Sequence, residues 1–225
     1  MRAGELNRFW RGALLVFGPF VRLLFRVRVA GLEHVPSVGP AILAFNHVSV
    51  LDGPVLGIET GRRLRRETRF LVAAEFFRRG PFGWVLRRAD QIPIRRGEAD
   101  AEALDEAVET IRRGALAAIA PEGRIDDHGG ARGLQRIRSG IARIALPTGA
   151  PVVPVGIWGT QRRYPSGGIS LRAPLRPRLA LAFGPPILPW GDISVPDDVE
   201  AFLAKVRMQL EEQVTRARRM TGATT

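Results

Sequence analysis

The stretch AILAFNHVSVLDGP, residues 41–54, decides how this chain folds. It opens with five apolar residues, 41–45, whose length and composition are typical of a buried strand. Gly53 and Pro54 then suit the first turn of a helix, where the missing N–H of proline costs nothing. The segment from Asn46 to Asp52 is therefore expected to form a turn at the carboxyl end of a strand, which is where α/β sheets bind ligands.

Similar apolar runs recur along the chain and alternate with helical patterns. Strands are predicted at residues 28–31, 41–45, 68–73, 91–94, 115–120, 152–158 and 178–183. A helix is predicted over 98–113, because Glu98, Asp100 and Glu102 favour its positive end, and the last helix begins near Pro196. This alternation predicts the α/β class: a single layered domain over residues 28–217, with a mostly buried mixed sheet flanked by helices. Residues 218–225 are expected to fray.

Residues 1–27 have a different pattern, largely apolar but interrupted by Arg22. Their apolar run is shorter than the roughly 20 residues that cross a bilayer. One narrow arc of a helix would hold Asn7, Arg8, Arg11, Gly18, Arg22 and Arg26. A broad apolar face beside such an arginine seam predicts amphipathic helices in a membrane interface, with Pro19 dividing the segment into two short helices. The alternative is a helix packed on the protein's own core.

The composition limits the chemistry. The 225 residues carry a formal net charge of +12, and Lys205 is the only lysine, so arginine supplies nearly all of the positive charge. Such a charge predicts an anionic partner, such as nucleic acid, anionic lipid or a phosphorylated substrate. The alternative is that the arginines form an ordinary solvated surface in a protein from a genome biased toward arginine codons, which would give the same net charge. The absence of cysteine excludes disulfides, thiolate nucleophiles and zinc–thiolate sites.

Three histidines can be compared directly. His34 lies in a turn between predicted strands and is expected to be structural, whereas His128 lies in a loop that is expected to be exposed. His47 follows a buried strand, and Asp52 comes five residues later. On a regular helix these side chains would diverge by about 140°, so they can meet only if His47 lies in a turn before the helix. A carboxylate on one imidazole nitrogen would leave the other as a base. The alternative is a helix-capping aspartate beside a core histidine.

Four short blocks carry a resemblance to a known family. They are NHVSVLD at 46–52, IPIRRG at 92–97, PEG at 121–123 and PVVPV at 151–155. The chain resembles the 1-acylglycerol-3-phosphate acyltransferase family, also called the lysophospholipid acyltransferase family, over about residues 29–187. Arg138 falls where that family commonly has a basic residue. Asp90 stands where glycine is usual, and Arg124 and Ile125 stand where threonine and arginine are usual.

The resemblance implies an enzyme that moves a fatty acyl group from an acyl thioester to the hydroxyl of a lysophosphatidic acid-like glycerolipid phosphate. His47 would be the general base, assisted by Asp52. The substrate-binding residues would be Arg96, Glu122, Gly123, Arg124 and Arg138. Neither a metal nor a cofactor is expected, apart from the acyl-CoA or acyl carrier protein that serves as donor.

The expected partners are an anionic membrane surface, the lysophospholipid acceptor and the thioester donor, but not nucleic acid. The expected location is the cytoplasmic face of the cell membrane, as a peripheral or monotopic protein. Since the departures fall in the acceptor blocks, glycerol 3-phosphate, another lysophospholipid or a glycolipid remains an alternative acceptor. Two further alternatives are an inactive lipid-binding relative and a basic nucleic-acid-binding protein, although no nucleic-acid motif is recognisable.

Overall fold

A mixed β-sheet runs through the protein in a computed structural model that describes residues 6–95, 100–165, 168–170 and 174–223. Within those residues its strands are β1 Arg26–Ala30, β2 Ala41–Phe45, β3 Thr68–Ala73, β4 Ile92–Ile94, β5 Leu116–Ile119, β6 Val152–Trp158 and β7 Arg178–Phe183. Their order across the sheet is β1-β7-β6-β2-β5-β3-β4. The run from β6 to β4 is parallel, β7 is antiparallel to β6, and β1 is parallel to β7.

Helices cover both faces of this sheet. They are α1 Arg8–Leu24, α2 Asp52–Leu64, α3 Gly80–Arg88, α4 Ala101–Arg112, α5 Gly140–Thr148, α6 Thr160–Arg163 and α7 Pro196–Met220. Successive side chains of a strand point to opposite faces, so Ile42 joins a core under α4, α5 and α7, whereas Leu43 joins one under α1 and α2. Strands buried on both sides need continuous apolar sequence, which explains residues 41–45.

The parallel strands determine where the residues of the candidate site come together. β2 lies between β5 and β6 and runs parallel to both. The segments that follow these three strands therefore emerge at the same edge of the sheet, although they are far apart in sequence. His47 follows β2, Glu122 follows β5, and Thr160 follows β6.

The predicted fold class is confirmed. The strands predicted at 41–45, 68–73, 152–158 and 178–183 have the predicted bounds, and the other three strands differ from prediction by at most two residues at either end. The helix predicted from Glu98 begins at Ala101 instead, because Asp100 is its N-cap and accepts a hydrogen bond from the N–H of Ala103 at 3.3 Å. Glu98 itself lies outside the described residues.

The prediction of two short helices before residue 28 is wrong. α1 is one helix that continues through Pro19, and β1 already begins at Arg26. A proline inside a helix removes one hydrogen bond, here the one that residue 19 would donate to the exposed Leu15. Packing on both sides of the proline compensates, because Trp10 and Val21 are both buried.

α1 has two apolar faces, of which one packs on the protein's own core and the other is exposed. Trp10 and Leu14 lie against Gly57 and Gly61 of α2, so one face of α1 belongs to the core. The opposite face is apolar and exposed, with Leu15 78% accessible and Val16, Phe20 and Leu23 at least half accessible. In the part of the chain that the structure describes, no helix combines the length and apolar character needed to span a membrane.

The prediction that the chain frays from residue 218 is also wrong. α7 continues to Met220, and Thr221 after it is buried. Arg28 donates to the carbonyl of Met220 at 3.0 Å, and the Thr221 hydroxyl donates to the carbonyl of Arg218 at 2.7 Å. The contact from Arg28 ties the end of α7 to the edge strand β1, which a local sequence pattern does not reveal.

Candidate active site

His47 and Asp52 meet in the turn between β2 and α2. The distance from His47 Nδ1 to Asp52 Oδ2 is 3.0 Å. The Asp52 side chain is fully buried, whereas that of His47 is 20% exposed. With Nδ1–H donating to the carboxylate, the lone pair of the ring lies on Nε2. The pair therefore has the arrangement of a base held in one tautomer by a buried anion.

The carboxylate of Asp52 also shapes the turn. Its Oδ2 accepts the backbone N–H groups of Val48 at 2.7 Å and Ser49 at 2.8 Å. Its Oδ1 accepts the hydroxyl of Thr160 at 2.5 Å. A buried carboxylate is costly unless it is hydrogen-bonded, and these contacts satisfy both oxygens.

Thr160 is the residue of this site that the sequence reasoning missed. It is fully buried at the start of α6, immediately after β6. The turn that brings it to Asp52 depends on Gly159, whose φ is +113° and where a Cβ would lie 2.2 Å from the carbonyl oxygen of Arg178. The rule that singled out His47, a polar residue directly after a buried strand, would have singled out Thr160 as well.

Asn46 fixes the start of the turn to the neighbouring strand. Its side-chain amide accepts the N–H of Ile157 at 2.7 Å and donates to the carbonyl of Ile157 at 3.0 Å. Asn46 is buried, so this pairing extends the β2–β6 contact by one side chain. The backbone that leads into His47 is thereby held in place.

Glu122 holds the other side of His47. One oxygen accepts the N–H of His47 at 2.9 Å, and the other accepts the N–H of Gln135 at 2.9 Å. Burial raises the pKa of the Glu122 carboxyl, and the hydrogen bonds from Gln135 and His47 oppose that rise. The family resemblance implied that Glu122 binds substrate, but its described hydrogen bonds are with backbone N–H groups.

The loop after Glu122 closes over the same turn. The N–H of Asp126 donates to the carbonyl of His47 at 2.7 Å. The Asp126 carboxylate in turn accepts the N–H groups of His128 and Gly130. Gly130 has φ +83°, and a Cβ there would lie 2.4 Å from the ring of Trp158. His128 is exposed, as expected from the sequence.

Of the three arginines predicted to bind substrate, the structure describes two. Arg138 lies over Gly123, where a Cβ would come within 2.9 Å of Arg138 Nε, so the Pro-Glu-Gly turn carries a guanidinium. Arg124 is exposed and donates from Nε to Oε1 of Gln135 at 2.5 Å. These two arginines and Glu122 therefore share the loop between β5 and α5. Arg96 lies outside the described residues.

The donor set does not resemble a metal centre. Among the described residues there is no group of three or more histidine, cysteine, aspartate or glutamate side chains that could hold an ion. The expectation that no metal is used stays a prediction.

Fold and site together define a class, an α/β enzyme in which a buried carboxylate orients an imidazole at the carboxyl edge of a parallel sheet. The chain belongs to the Acyltransferase family, whose model matches residues 26–158. Similar proteins include plant enzymes named as 1-acyl-sn-glycerol-3-phosphate acyltransferases.

Three relatives illustrate the range. An uncharacterised protein of Mycobacterium leprae is 32% identical over 165 residues, which cover 67% of this chain and 42% of that protein. The chloroplastic 1-acyl-sn-glycerol-3-phosphate acyltransferase BAT2 of Brassica napus is 29% identical over 146 residues, 64% of this chain and 40% of the plant protein. The lyso-ornithine lipid O-acyltransferase of Pseudomonas aeruginosa is 31% identical over 154 residues, 68% and 53% of the two chains. The chain thus spans about half or less of the length of these relatives.

A solved structure confirms the architecture. The crystal structure of the 1-acyl-sn-glycerophosphate acyltransferase PlsC from Thermotoga maritima superposes with a TM-score of 0.70, covering 96% of this chain and 80% of that one. The sequence identity is 21%, so this likeness shows the fold.

Replacing Thr160 by valine tests whether the Thr160 hydroxyl positions the His47–Asp52 pair. Valine keeps the shape but leaves Asp52 Oδ1 without its hydroxyl donor, and a hydrogen bond to a charged group contributes about 1.5–3 kcal/mol. We expect kcat for acyl transfer to fall by roughly tenfold or more, with little change in KM. Thr160→Ser, which restores the hydroxyl, should recover most of the rate. A valine variant with wild-type kcat would mean that the contact is only structural.

Proposed function

We propose that this protein transfers a fatty acyl group from an acyl thioester to the free hydroxyl of a lysophosphatidic acid-like glycerolipid phosphate. The observation that carries the proposal is the His47–Asp52 contact within a chain of the Acyltransferase family. An alcohol is a poor nucleophile at neutral pH, so a base must take its proton during attack. His47 is the partly exposed group whose free ring nitrogen can do so.

The reaction then proceeds without a covalent intermediate on the protein. The acceptor O–H gives its proton to His47 Nε2 while its oxygen attacks the thioester carbonyl carbon. The tetrahedral intermediate collapses with cleavage of the C–S bond, and the imidazolium returns the proton to the departing sulfur. The products are the ester and a free thiol. Acyl-CoA and acyl carrier protein would both present such a thioester.

The acceptor's phosphate needs a cationic partner. Arginine offers two parallel N–H donors that match a phosphate, and Arg138 lies on the same loop as Glu122, which holds the His47 backbone. Arg96 is proposed as a second partner from its position in the family block, and Arg124 as a third. The plant relative is named for 1-acyl-sn-glycerol-3-phosphate, which has this phosphate.

A second acceptor is favoured by one specific observation. The Pseudomonas aeruginosa relative is named for a lyso-ornithine lipid, and its match covers 68% of this chain. Arg124 and Ile125 also depart from the residues usual in the acceptor block. The same transfer to another lysolipid is therefore the alternative function.

An acceptor panel decides between these functions. Purified protein would be given acyl-CoA or acyl carrier protein thioester together with 1-acylglycerol 3-phosphate, glycerol 3-phosphate, other lysophospholipids or a lyso-ornithine lipid, and the lipid products would be identified by mass spectrometry. We expect the highest kcat/KM with 1-acylglycerol 3-phosphate. A preference for the lyso-ornithine lipid would establish the alternative, and a lack of transfer to every acceptor would contradict both.

Removing a phosphate partner should affect the acceptor far more than the donor. Arg138→Ala and Arg96→Ala should each raise the acceptor's KM by roughly 10–150-fold, because a hydrogen bond to a charged group contributes about 1.5–3 kcal/mol. Arg112→Ala is the matched control, since Arg112 is an exposed arginine that pairs with Glu109 on α4. An unchanged acceptor KM with a raised donor KM would place the altered arginine on the thioester side.

We also propose that α1 holds the enzyme on the cytoplasmic face of the cell membrane as a peripheral or monotopic protein. The exposed side of α1 presents Leu15, Val16, Phe20 and Leu23, which suit the boundary between acyl chains and headgroups. The lysolipid acceptor resides in the membrane, whereas the thioester donor arrives from the cytosol. A protein lying in that interface meets both.

The exposed apolar face can be tested without disturbing the core. Deleting the first 27 residues would remove the buried Trp10, Val21 and Phe25, so serine should instead replace Leu15, Phe20 and Leu23. Affinity for vesicles should fall by at least roughly 100-fold, because each of the three bulky side chains contributes up to about 1.5–3 kcal/mol when it leaves water. The control replaces Leu188, Ile193 and Met208, which are exposed apolar residues outside α1. Equal vesicle binding by the two triple variants would place the anchor elsewhere.

A further inference from the structure

Glu59 is a buried carboxylate that the proposed reaction does not use. It lies in α2, two helical turns or roughly 10 Å along the helix from Asp52, and its side chain has no accessible surface. A lone buried carboxylate is expensive, so partners are required. Three arginines from two helices supply them.

The contacts are unequal. Arg63 Nε donates to Oε2 at 2.9 Å, and Arg62 Nη2 donates to the same oxygen at 3.4 Å. Arg22 of α1 brings Nη2 to 3.5 Å from Oε1, and this oxygen has no hydrogen bond within the described part of the chain. Glu59 thus gathers the arginines by charge, yet it engages only a few of the five N–H donors that each guanidinium carries.

The cluster has an excess of positive charge at the surface. Three guanidinium groups face one carboxylate, so two positive charges remain uncompensated. The arginine side chains are 37–44% exposed, although the carboxylate beneath them is not exposed at all. A purely structural ion pair would need one arginine rather than three.

The position of the cluster indicates its ligand. Arg22 precedes Leu23 on α1, so the cations border the exposed apolar face of that helix. Arg176 donates to the carbonyl of Arg22 at 2.6 Å, and the adjacent Leu175 is 92% exposed. A surface with guanidinium groups beside bulky apolar side chains complements a phospholipid, in which a phosphate adjoins acyl chains.

We propose that Arg22, Arg62 and Arg63, held by Glu59, bind the phosphate of an anionic phospholipid in the bilayer, at a site separate from the acceptor site at His47. This inference rests on the proposed placement of α1 in the membrane interface. A soluble phosphate could meet the same guanidinium groups, but it would gain nothing from the apolar face. The bilayer lipid is therefore the occupant that fits both features.

The main test measures binding of the full chain to phosphatidylcholine vesicles with and without phosphatidylglycerol. Arg62→Gln with Arg63→Gln should lower affinity for the anionic vesicles by about 10–30-fold, from a contribution of roughly fivefold per arginine near an anionic surface. The control is Arg112→Gln with Arg113→Gln, which removes the same charge from the end of α4 on the other face of the sheet. Equal losses in the two double variants would overturn the site.

A second pair of substitutions separates a phosphate site from diffuse attraction and also protects the fold. Arg62→Lys with Arg63→Lys keeps the charges around Glu59 but removes the planar forks. The site predicts that this variant binds anionic vesicles at least several-fold more weakly than the wild type, with an unchanged thermal unfolding midpoint. Wild-type binding by the lysine variant would show that charge alone suffices and would overturn the proposal.

Two further measurements are needed. One distinguishes a bilayer phospholipid from soluble phosphate as the ligand, and the other distinguishes failure of this site from failure of the proposed function. Inorganic phosphate should release the protein from anionic vesicles no better than chloride of equal ionic strength, and better release would assign the site to soluble phosphate instead. Acyl transfer to detergent-dispersed acceptor should be unchanged in the glutamine variant. If wild-type protein binds neutral and anionic vesicles equally, this site is wrong while the proposed function stands. If transfer fails for every acceptor, the proposed function is wrong whatever the vesicles show.

Discussion

His47→Ala should lower the rate of acyl transfer by about 10²–10⁴-fold, which is the usual contribution of a positioned general base. The imidazole contacts Asp52 through Nδ1, so its loss removes the group that accepts the proton from the acceptor hydroxyl. Substrate binding should change little, because the proposed phosphate partners Arg96, Arg124 and Arg138 remain in place. The measurement is kcat with saturating donor and acceptor.

The control for this variant is His128→Ala. His128 is exposed in the neighbouring loop, and its described hydrogen bond to Asp126 uses the backbone rather than the ring. Its replacement should leave the rate near that of the wild type. Thermal unfolding and vesicle binding should be unchanged for both variants. Activity of the His47 variant within about tenfold of wild type would contradict the assignment of the base.

Asp52→Asn should lose on the order of 10³–10⁴-fold in kcat, comparable to the loss when the aspartate of a serine-protease triad becomes asparagine. The Asp52 carboxylate accepts four hydrogen bonds: from the ring of His47, the N–H groups of Val48 and Ser49, and the hydroxyl of Thr160. An amide has only one accepting oxygen. At least one donor therefore faces an N–H group, and the His47 tautomer that exposes a basic Nε2 loses its support.

The same substitution should lower stability by about 1–3 kcal/mol, because it leaves buried donors unsatisfied. Its coupling to His47 provides the sharper check. Residues that act as a unit are not additive, so the double variant His47→Ala with Asp52→Asn should be hardly slower than His47→Ala alone. If the fold-loss in rate of the double variant equals the product of the two single losses, Asp52 contributes to catalysis independently of His47.

The strands of the sheet could be predicted closely because the local sequence of each strand is sufficient to identify it. Residues 41–45 and 152–158 are buried on both faces, so each is a nearly unbroken apolar run with distinct ends. The His47–Asp52 contact could also be anticipated, since it joins residues five apart and depends on a turn that the strand and the Gly-Pro pair delimit. Local sequence carries such information.

The rest of the site depends on strand order, which one sequence does not give. Glu122 lies 75 residues from His47, and Thr160 lies 108 residues from Asp52. They arrive because β5 and β6 flank β2. Without that order, Glu122 was assigned to substrate rather than to the backbone N–H of His47. Thr160 was not considered at all.

α1 shows a different limit. Its inward and outward faces are both apolar, so the periodicity that identifies an ordinary surface helix does not distinguish Val21, which is buried, from Leu23, which is exposed. The arginine seam marks only the border between the two faces. Pro19 suggested a break that packing on both sides prevents. Glu59 likewise gave no signal, because Arg22 becomes its neighbour only when α1 crosses α2, although Arg62 and Arg63 lie on the same helix as Glu59.

The proposed mechanism is direct transfer from thioester to hydroxyl, with His47 as the base and no acyl group on the protein. The most direct measurement is a rapid-quench experiment that follows thiol release, ester product and the mass of the protein together. We predict no burst of thiol when wild-type protein meets the thioester alone, and one ester formed per thiol released once 1-acylglycerol 3-phosphate is added. A stoichiometric burst of thiol with an acylated protein would contradict the account, as would thiol release without ester after the acceptor is added.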